Sequence, residues 1–228
     1  MNFPELFIPS DIPSQAPGRN HAALMIGGLS DAGEIRVTSD ERSRAMTMRD
    51  PATRDRFLKT RNLLRKILSR WLDVDPEKVG ISVGDSGKPF LIGTPPLHFS
   101  ISHSQDFIVI AFCGSEIGVD LEKERPIDTV ALARRFFTSE EAEKISAAPL
   151  RDLFFRHWTC REAAIKADGR GLAALLASTR VTEVGGQTMK VHIGEVNWSA
   201  VSWKTDGDYH GAVAFREMPS LISWCDLR

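Results

Sequence analysis

The sequence predicts an α+β fold made of two similar halves related by a pseudo-twofold, and three observations support it. Helical periodicity fills residues 50–72 and returns over about 130–167. Each helical block is followed by short apolar runs separated by turn residues, over 79–121 and 180–215. The resulting order of helices, strands, helices, strands divides a chain of 228 residues into halves of ordinary domain size.

Taken in order, residues 1–20 read as an extended N-terminal arm, punctuated by Pro4, Pro9, Pro13 and Pro17. A first strand over 22–26 stops at Gly27-Gly28. Ser39, followed by Asp40 and Glu41, offers a cap and early acid for a short helix. Asp50-Pro51 opens a longer one, with proline at the first helical position. Phe57, Leu58, Leu64, Ile67, Leu68 and Trp71 carry its apolar face to Leu72. Strands follow over 80–83, 89–92, 98–102, 107–112 and 117–121. In the second helical block, Thr138 and Glu141 have the spacing of a capping box. Pro149 opens a helix whose buried face draws on Leu153, Phe154, Trp158, Ala164 and Ile165. Strands over 180–184, 189–193, 198–203 and 211–215 close the chain, with turns at Gly185-Gly186 and Asp206-Gly207. The expected organisation is the arm 1–20, an N-terminal half 21–115 and a C-terminal half 116–228, with the active site between the halves.

Composition narrows the function. A formal net charge of −1 gives no argument for nucleic acid or an anionic membrane, and neither is expected as a partner. Cys113, Cys160 and Cys225 are widely spaced without a CxxC pair, which disfavours disulfides or structural zinc and suits a reducing cytoplasm. No run approaches the ~18 apolar residues of a membrane span, and residues 1–19 lack the basic start and apolar stretch of a secretory signal.

Chemistry concentrates in short segments. In Gly118-Val119-Asp120-Leu121-Glu122, a strand end, Asp120 and Glu122 are two apart and share a face. In Trp158-Thr159-Cys160-Arg161-Glu162-Ala163-Ala164-Ile165-Lys166, a helix, Glu162 and Lys166 are four apart and share a face. Three carboxylates and an ammonium suit Mg²⁺ with a phosphate-bearing ligand, because Mg²⁺ prefers one or two carboxylates plus substrate oxygens. Each has a plainer reading: a solvated acidic turn, since Lys123, Glu124 and Arg125 follow, and an exposed i,i+4 ion pair.

A third segment, His98-Phe99-Ser100-Ile101-Ser102-His103-Ser104, alternates polar and apolar residues and brings Ser102 and His103 out at a strand end. A lone histidine there is more often structural. The fourth, Gly87-Lys88-Pro89, fixes a lysine at a turn without the pattern of a P-loop, and an exposed hairpin lysine is its default reading.

In this order the four segments resemble the G-[IV]-D-x-E, W-[ST]-x-K-E-[AS]-x-x-K, H-F-[NS]-x-S-H-S and G-K-P boxes of the Sfp-type 4′-phosphopantetheinyl transferases. Phe136 to Glu141 falls where that family has F-F-[ST]-x-x-E, and the resemblance spans roughly residues 28–172. It implies the fold of that family and transfer of the phosphopantetheine arm of coenzyme A to a serine of an apo acyl or peptidyl carrier protein, with release of 3′,5′-ADP. Asp120, Glu122 and Glu162 would hold Mg²⁺. Glu162 or a metal-bound water would deprotonate the serine, and Lys166 would offset pyrophosphate charge. Lys88 and His103 would meet phosphates of coenzyme A with Ser102 beside them, and Arg61 resembles the arginine that meets the 3′-phosphate. Asp120, Glu162 and Lys166 are therefore the catalytic candidates. A monomer would suffice, because two similar halves form an internal pseudo-dimer.

Two departures stand out. Arg161 occupies the place of the family's lysine, which motivates a rival reading as a module that binds coenzyme A without transfer. Residues 45–50 match the family poorly, leaving the contacts of Arg42, Arg44 and Arg49 unassigned.

Overall fold

The structure, a computed structural model, describes residues 7–9, 12–29, 33–93, 96–147, 151–171, 175–205 and 207–227. The expected helix start at Pro149, the turn residues Thr94, Pro95 and Asp206, Leu172 and most of residues 1–11 lie outside them.

The first half opens with strand β1 (Phe7–Pro9) and β2 (His21–Gly28), followed by helices α1 (Ser39–Met46) and α2 (Pro51–Leu72). The cap of α1 is Thr38 rather than Ser39. Thr38 has an extended backbone and its hydroxyl takes the Glu41 N–H, while the Glu41 carboxylate takes the Thr38 N–H in return. Asp50 caps α2 through the N–H groups of Ala52 and Thr53, as the Asp-Pro pair suggests. A two-stranded ribbon, β3 (Ile81–Val83) with β4 (Pro89–Leu91), leads to β5 (His98–Ser104) and β6 (Phe107–Cys113). The second half runs from β7 (Ile117–Lys123) through α3 (Thr129–Phe136), α4 (Ser139–Ala147) and α5 (Arg151–Asp168). Strands β8 (Thr179–Gly185), β9 (Thr188–Ile193), β10 (Val196–Lys204), β11 (Tyr209–Phe215) and β12 (Leu221–Asp226) complete it.

Two five-stranded sheets form, ordered β1-β12-β2-β6-β5 and β7-β11-β10-β9-β8. The sequence pattern predicts no strand over 221–226, yet β12 runs parallel to both β1 and β2 between them, so the chain's last strand completes the sheet of its first half. A six-residue apolar run near a terminus has no periodicity of its own, and only the pairing edges of β1 and β2 define it.

Four layers result. Alternate residues of β2 and β6 (Leu24, Ile26, Val109, Ala111) face Val119, Leu121, Val213 and Phe215 across the two sheets. Their neighbours Ala23, Met25, Ile108 and Ile110 face Leu64, Ile67 and Leu68 of α2. On the far side, Ala163, Ala164 and Ala167 of α5 pack on Ala200, Ala212 and Ala214. Each sheet is thus covered by one long helix, with a mixed core between the sheets.

Candidate active site

Helix α5 lies on β7 at backbone contact. A Cβ at Gly118 would sit 1.9 Å from the Ala163 carbonyl oxygen and 2.4 Å from the Ala167 nitrogen. Glycine is the residue that permits this approach. Because β7 alternates, Ile117, Val119 and Leu121 enter the inter-sheet core, while Gly118, Asp120 and Glu122 face α5.

Asp120 is 2% exposed, and Lys166 reaches it from the last turn of α5. The ammonium Nζ donates to Asp120 Oδ1 at 2.6 Å and to Ser102 Oγ at 2.9 Å, and the Ser102 hydroxyl donates to the same Oδ1 at 2.9 Å. Lys166 therefore pairs across elements and not in a surface bridge to Glu162. The second oxygen, Asp120 Oδ2, is buried without a hydrogen-bond partner.

Glu162 and Glu122 complete an acidic group around Asp120. Burial first, and the charge of Asp120 next, push the Glu162 carboxyl up to about 8, with Lys166 opposing and Glu122 adding. Burial and then Asp120 likewise raise Glu122, whose carboxylate is held by Arg125 at 2.9 Å. The donors are hard oxygens, one of them buried and unpartnered, which is the donor chemistry that Mg²⁺ takes. Among the described residues no three acidic, histidine or cysteine side chains converge into a ready-made metal cluster, and Lys166 lies against Asp120.

The serines of β5 serve the seam between the sheets. Ser100 Oγ accepts the Val119 N–H at 3.0 Å and Ser104 Oγ accepts the Lys123 N–H at 2.9 Å. Among the described strands β5 and β7 are sheet edges, and these hydroxyls satisfy N–H groups on the open edge of β7. Ser102, between them, turns to Asp120 and Lys166. The alternation with Phe99 and Ile101 marks Ser100 and Ser104 in the sequence, and there Ser104 is expected to meet phosphate with Ser102 and His103; in the structure both serines instead take backbone N–H groups of β7.

A cleft of about 260 Å³ gathers three of the four segments. It is lined by Gly87, Lys88 and Pro89, by Phe99, Ser100 and Ile101 of β5, by Glu162, Ile165 and Lys166 of α5, and by Gly169 and Gly171. Lys88 is not the exposed lysine of its default reading. Gly87, at φ +84, turns it inward, and its ammonium donates to Ala167 O at 3.1 Å and Ile117 O at 3.4 Å. Burial pushes Lys88 down to about 8, against the pull of Glu116 and Asp168.

His103, at the end of β5, does not line the cleft. Desolvation of its ring lowers its proton affinity, with Arg56 and Lys166 adding and Asp120 opposing. Arg61 lies apart on α2, lining a separate depression of about 380 Å³ with Arg44, Phe57 and Arg65. Its guanidinium is over the Phe57 ring at 5.4 Å, and its buried Nη1 has no partner.

Arg161 turns away from all of this. It is 0% exposed, its Nη2 donates to Glu141 Oε1 at 3.0 Å, Oε2 at 2.9 Å and Thr179 O at 2.8 Å, and it covers the Phe137 ring at 4.0 Å. The exchange of lysine for arginine thus alters a buried anchor and leaves the cleft lining untouched, which removes the sole motive for a binding-only module.

Comparison with known proteins places the chain in a family. A family model described as the 4′-phosphopantetheinyl transferase superfamily matches residues 116–214, from just before β7 through β11. The chain is 40% identical over 147 residues to 4′-phosphopantetheinyl transferase HetI of Nostoc sp., covering 61% of this chain and 62% of that protein. It is 35% identical over 122 residues to 4′-phosphopantetheinyl transferase Sfp of Bacillus subtilis, covering 52% and 54%. With 4′-phosphopantetheinyl transferase psf-1 of Bacillus pumilus it shares 30% identity over 186 residues, 79% of either chain. This chain belongs to the 4′-phosphopantetheinyl transferase superfamily. Among the described residues no helix is long and apolar enough to cross a membrane.

Proposed function

We propose that this protein transfers 4′-phosphopantetheine from coenzyme A to a serine of an apo acyl or peptidyl carrier protein, releasing 3′,5′-ADP. The observation that carries the reading is the meeting of Lys88, Glu162 and Lys166 on one cleft beside the buried Asp120. Phosphoryl transfer asks a protein for positioning and charge neutralisation more than for covalency, and these side chains supply both.

Asp120, Glu122 and Glu162 would hold Mg²⁺, which supplies charge neutralisation on the pyrophosphate when bound. Lys88 and Lys166 both line the cleft and would orient pyrophosphate oxygens there. His103 adds a donor at the end of β5, and Ser102, which accepts from Lys166 and donates to Asp120, holds the lysine in place. Arg61 offers its unpartnered Nη1 to the 3′-phosphate. The carrier serine oxygen attacks the phosphorus that bears the pantetheine arm and forms the new phosphodiester. The bond from that phosphorus to the bridging oxygen breaks, and 3′,5′-ADP leaves with that oxygen. The serine proton passes to Glu162 or to a water beside it. The site works as a monomer in the cytoplasm.

The test is a mass measurement. Protein, coenzyme A and Mg²⁺ are expected to add the phosphopantetheine mass to one of a panel of apo carriers, and a chelator to abolish the transfer. Asp120→Ala and Glu162→Ala should each remove nearly all turnover with the fold intact; unchanged turnover in both sinks the assigned roles.

A further inference from the structure

The same anchoring device occurs twice in this chain, once beneath each long helix. In the first half the Glu41 carboxylate, held by the Thr38 N–H and hydroxyl, receives Arg65 Nε of α2 at 2.7 Å. In the second half the Glu141 carboxylate, held at Oε2 by the Thr138 N–H and hydroxyl, receives Arg161 of α5. The arginines continue alike. Arg65 Nη1 donates to Pro76 O and Val79 O, just ahead of β3, each at 2.8 Å, while Arg161 Nη2 donates to Thr179 O at the start of β8. Four residues before each arginine a second base approaches the same carboxylate: Arg61 Nε at 3.8 Å from Glu41, and His157 Nδ1 at 3.6 Å from Glu141. Arg65 and Arg161 are 2% and 0% exposed.

We infer that Glu41 and Glu141 are positioning residues with separate duties: Glu41 fixes α2 and with it Arg61, and Glu141 fixes α5 and with it Glu162 and Lys166. The assignment of duties rests on the proposed transfer reaction; the clamps themselves do not. The physical need is clearest for α5. The packing face of α5 sets Ala163, Ala164 and Ala167, with Cys160 and Ile165, against a sheet face that includes Ala200, Ala212, Ala214, Met189 and Trp198. To that apolar packing the Arg161 anchor, one residue before Glu162, adds a directional polar constraint. It ties α5 at once to the cap of α4, through Glu141, and to the second sheet, because Glu141 Oε1 also accepts the Val181 N–H at 2.9 Å. A loosened anchor displaces a reacting group by fractions of an ångström, and a displacement of that order is costly to catalysis. For α2 the equivalent error misplaces Arg61 and leaves the reacting end alone.

The test shortens each clamp by one methylene and retains its charge, with Glu41→Asp and Glu141→Asp, at a temperature where both variants are folded. Glu141→Asp is expected to lower kcat on the order of tenfold with KM for coenzyme A unchanged. Glu41→Asp is expected to raise KM for coenzyme A with kcat unchanged. Amide hydrogen exchange should quicken over 151–168 in the first variant and over 51–72 in the second. Equal losses of kcat in both, or wild-type kinetics in both with only a lower melting temperature, would overturn the division of duties. If the wild-type protein transfers nothing, the proposed function falls, and the clamps are judged by exchange and by calorimetry with coenzyme A alone. Binding weakened by Glu41→Asp and not by Glu141→Asp then supports them, and the same affinity in both variants overturns them.

Discussion

Gly118 on β7 and Ala163 on α5 touch backbone to backbone, with room for no Cβ between them: one built at Gly118 falls 1.9 Å from the Ala163 carbonyl oxygen. Asp120 and Glu122 lie on the same face of the same strand, so this contact sets the height of Glu162 and Lys166 above them.

Gly118→Ala should therefore be among the most damaging single methyl additions in the chain. The obstructing atoms are main chain and do not yield as a side-chain tip would, so the cost should reach or exceed the ~3 kcal/mol upper end of ordinary overpacking. Urea unfolding followed by tryptophan emission measures it; an unchanged midpoint would show that α5 does not sit at this distance.

Lys166→Met removes the charge partner of a buried carboxylate. Ser102 remains bonded to Asp120, and Lys166 is 32% exposed at its side chain, so solvent already screens part of the pair. The expected loss is about 1–3 kcal/mol of stability together with nearly all transfer. Denaturant midpoints and the carrier mass-shift assay read the two effects separately.

Stability should fall with rising pH across the neutral range in chelated protein. The Glu162 carboxyl holds its proton to about 8 in the folded state against an ordinary 4.5, so the folded protein binds more protons between these values. Its contribution is complete below 4.5 and is lost as pH rises through about 8. Midpoints at several pH values should decline over this window in the wild type, and Glu162→Gln should flatten the decline; parallel curves would contradict it.

At acid pH the opposite sign holds for Glu141. Burial alone would raise it, but His157, Arg161 and the N–H groups of Thr138 and Val181 together draw it down to about 2. Its contribution is present above the ordinary 4.5 and disappears as pH falls toward 2. Glu141→Gln should lose stability at pH 7 and show a shallower decline between pH 5 and 3 than the wild type, as acid unfolding monitored by circular dichroism would report.

The seam between the sheets gives a further test. Ser100→Ala and Ser104→Ala each strip an acceptor from an edge N–H of β7, at Val119 and Lys123, for about 1–3 kcal/mol where the donor is left dry. The two serines are four residues apart on an extended strand and have separate partners, so their effects should add in a double-mutant cycle.

The candidate pairs were legible because their pattern is local. Asp120 and Glu122 share a face by the period of a strand and Glu162 and Lys166 by the period of a helix, whereas the Gly-Lys-Pro turn alone reads as an exposed hairpin lysine. The amphipathic period of α2, and the splitting of the second block at Thr138, likewise need only near neighbours. Direction and partnership are another matter. Whether Lys166 bonds Glu162 four residues away or Asp120 on another element depends on where β7 lies beneath α5. Whether Arg161 faces the ligand or Glu141 depends on the rotation of α5 against α4 and β8. Strand β12 exists because β1 and β2 leave a place for it, and the serines of β5 acquire their task only when two sheet edges meet. The sequence by itself determined which groups are present and which share a face, since periodicity and turn chemistry act over a few residues. The tertiary structure decided which of them touch, because a hydrogen bond or ion pair across sheets requires elements far apart in the chain to be held at fixed register.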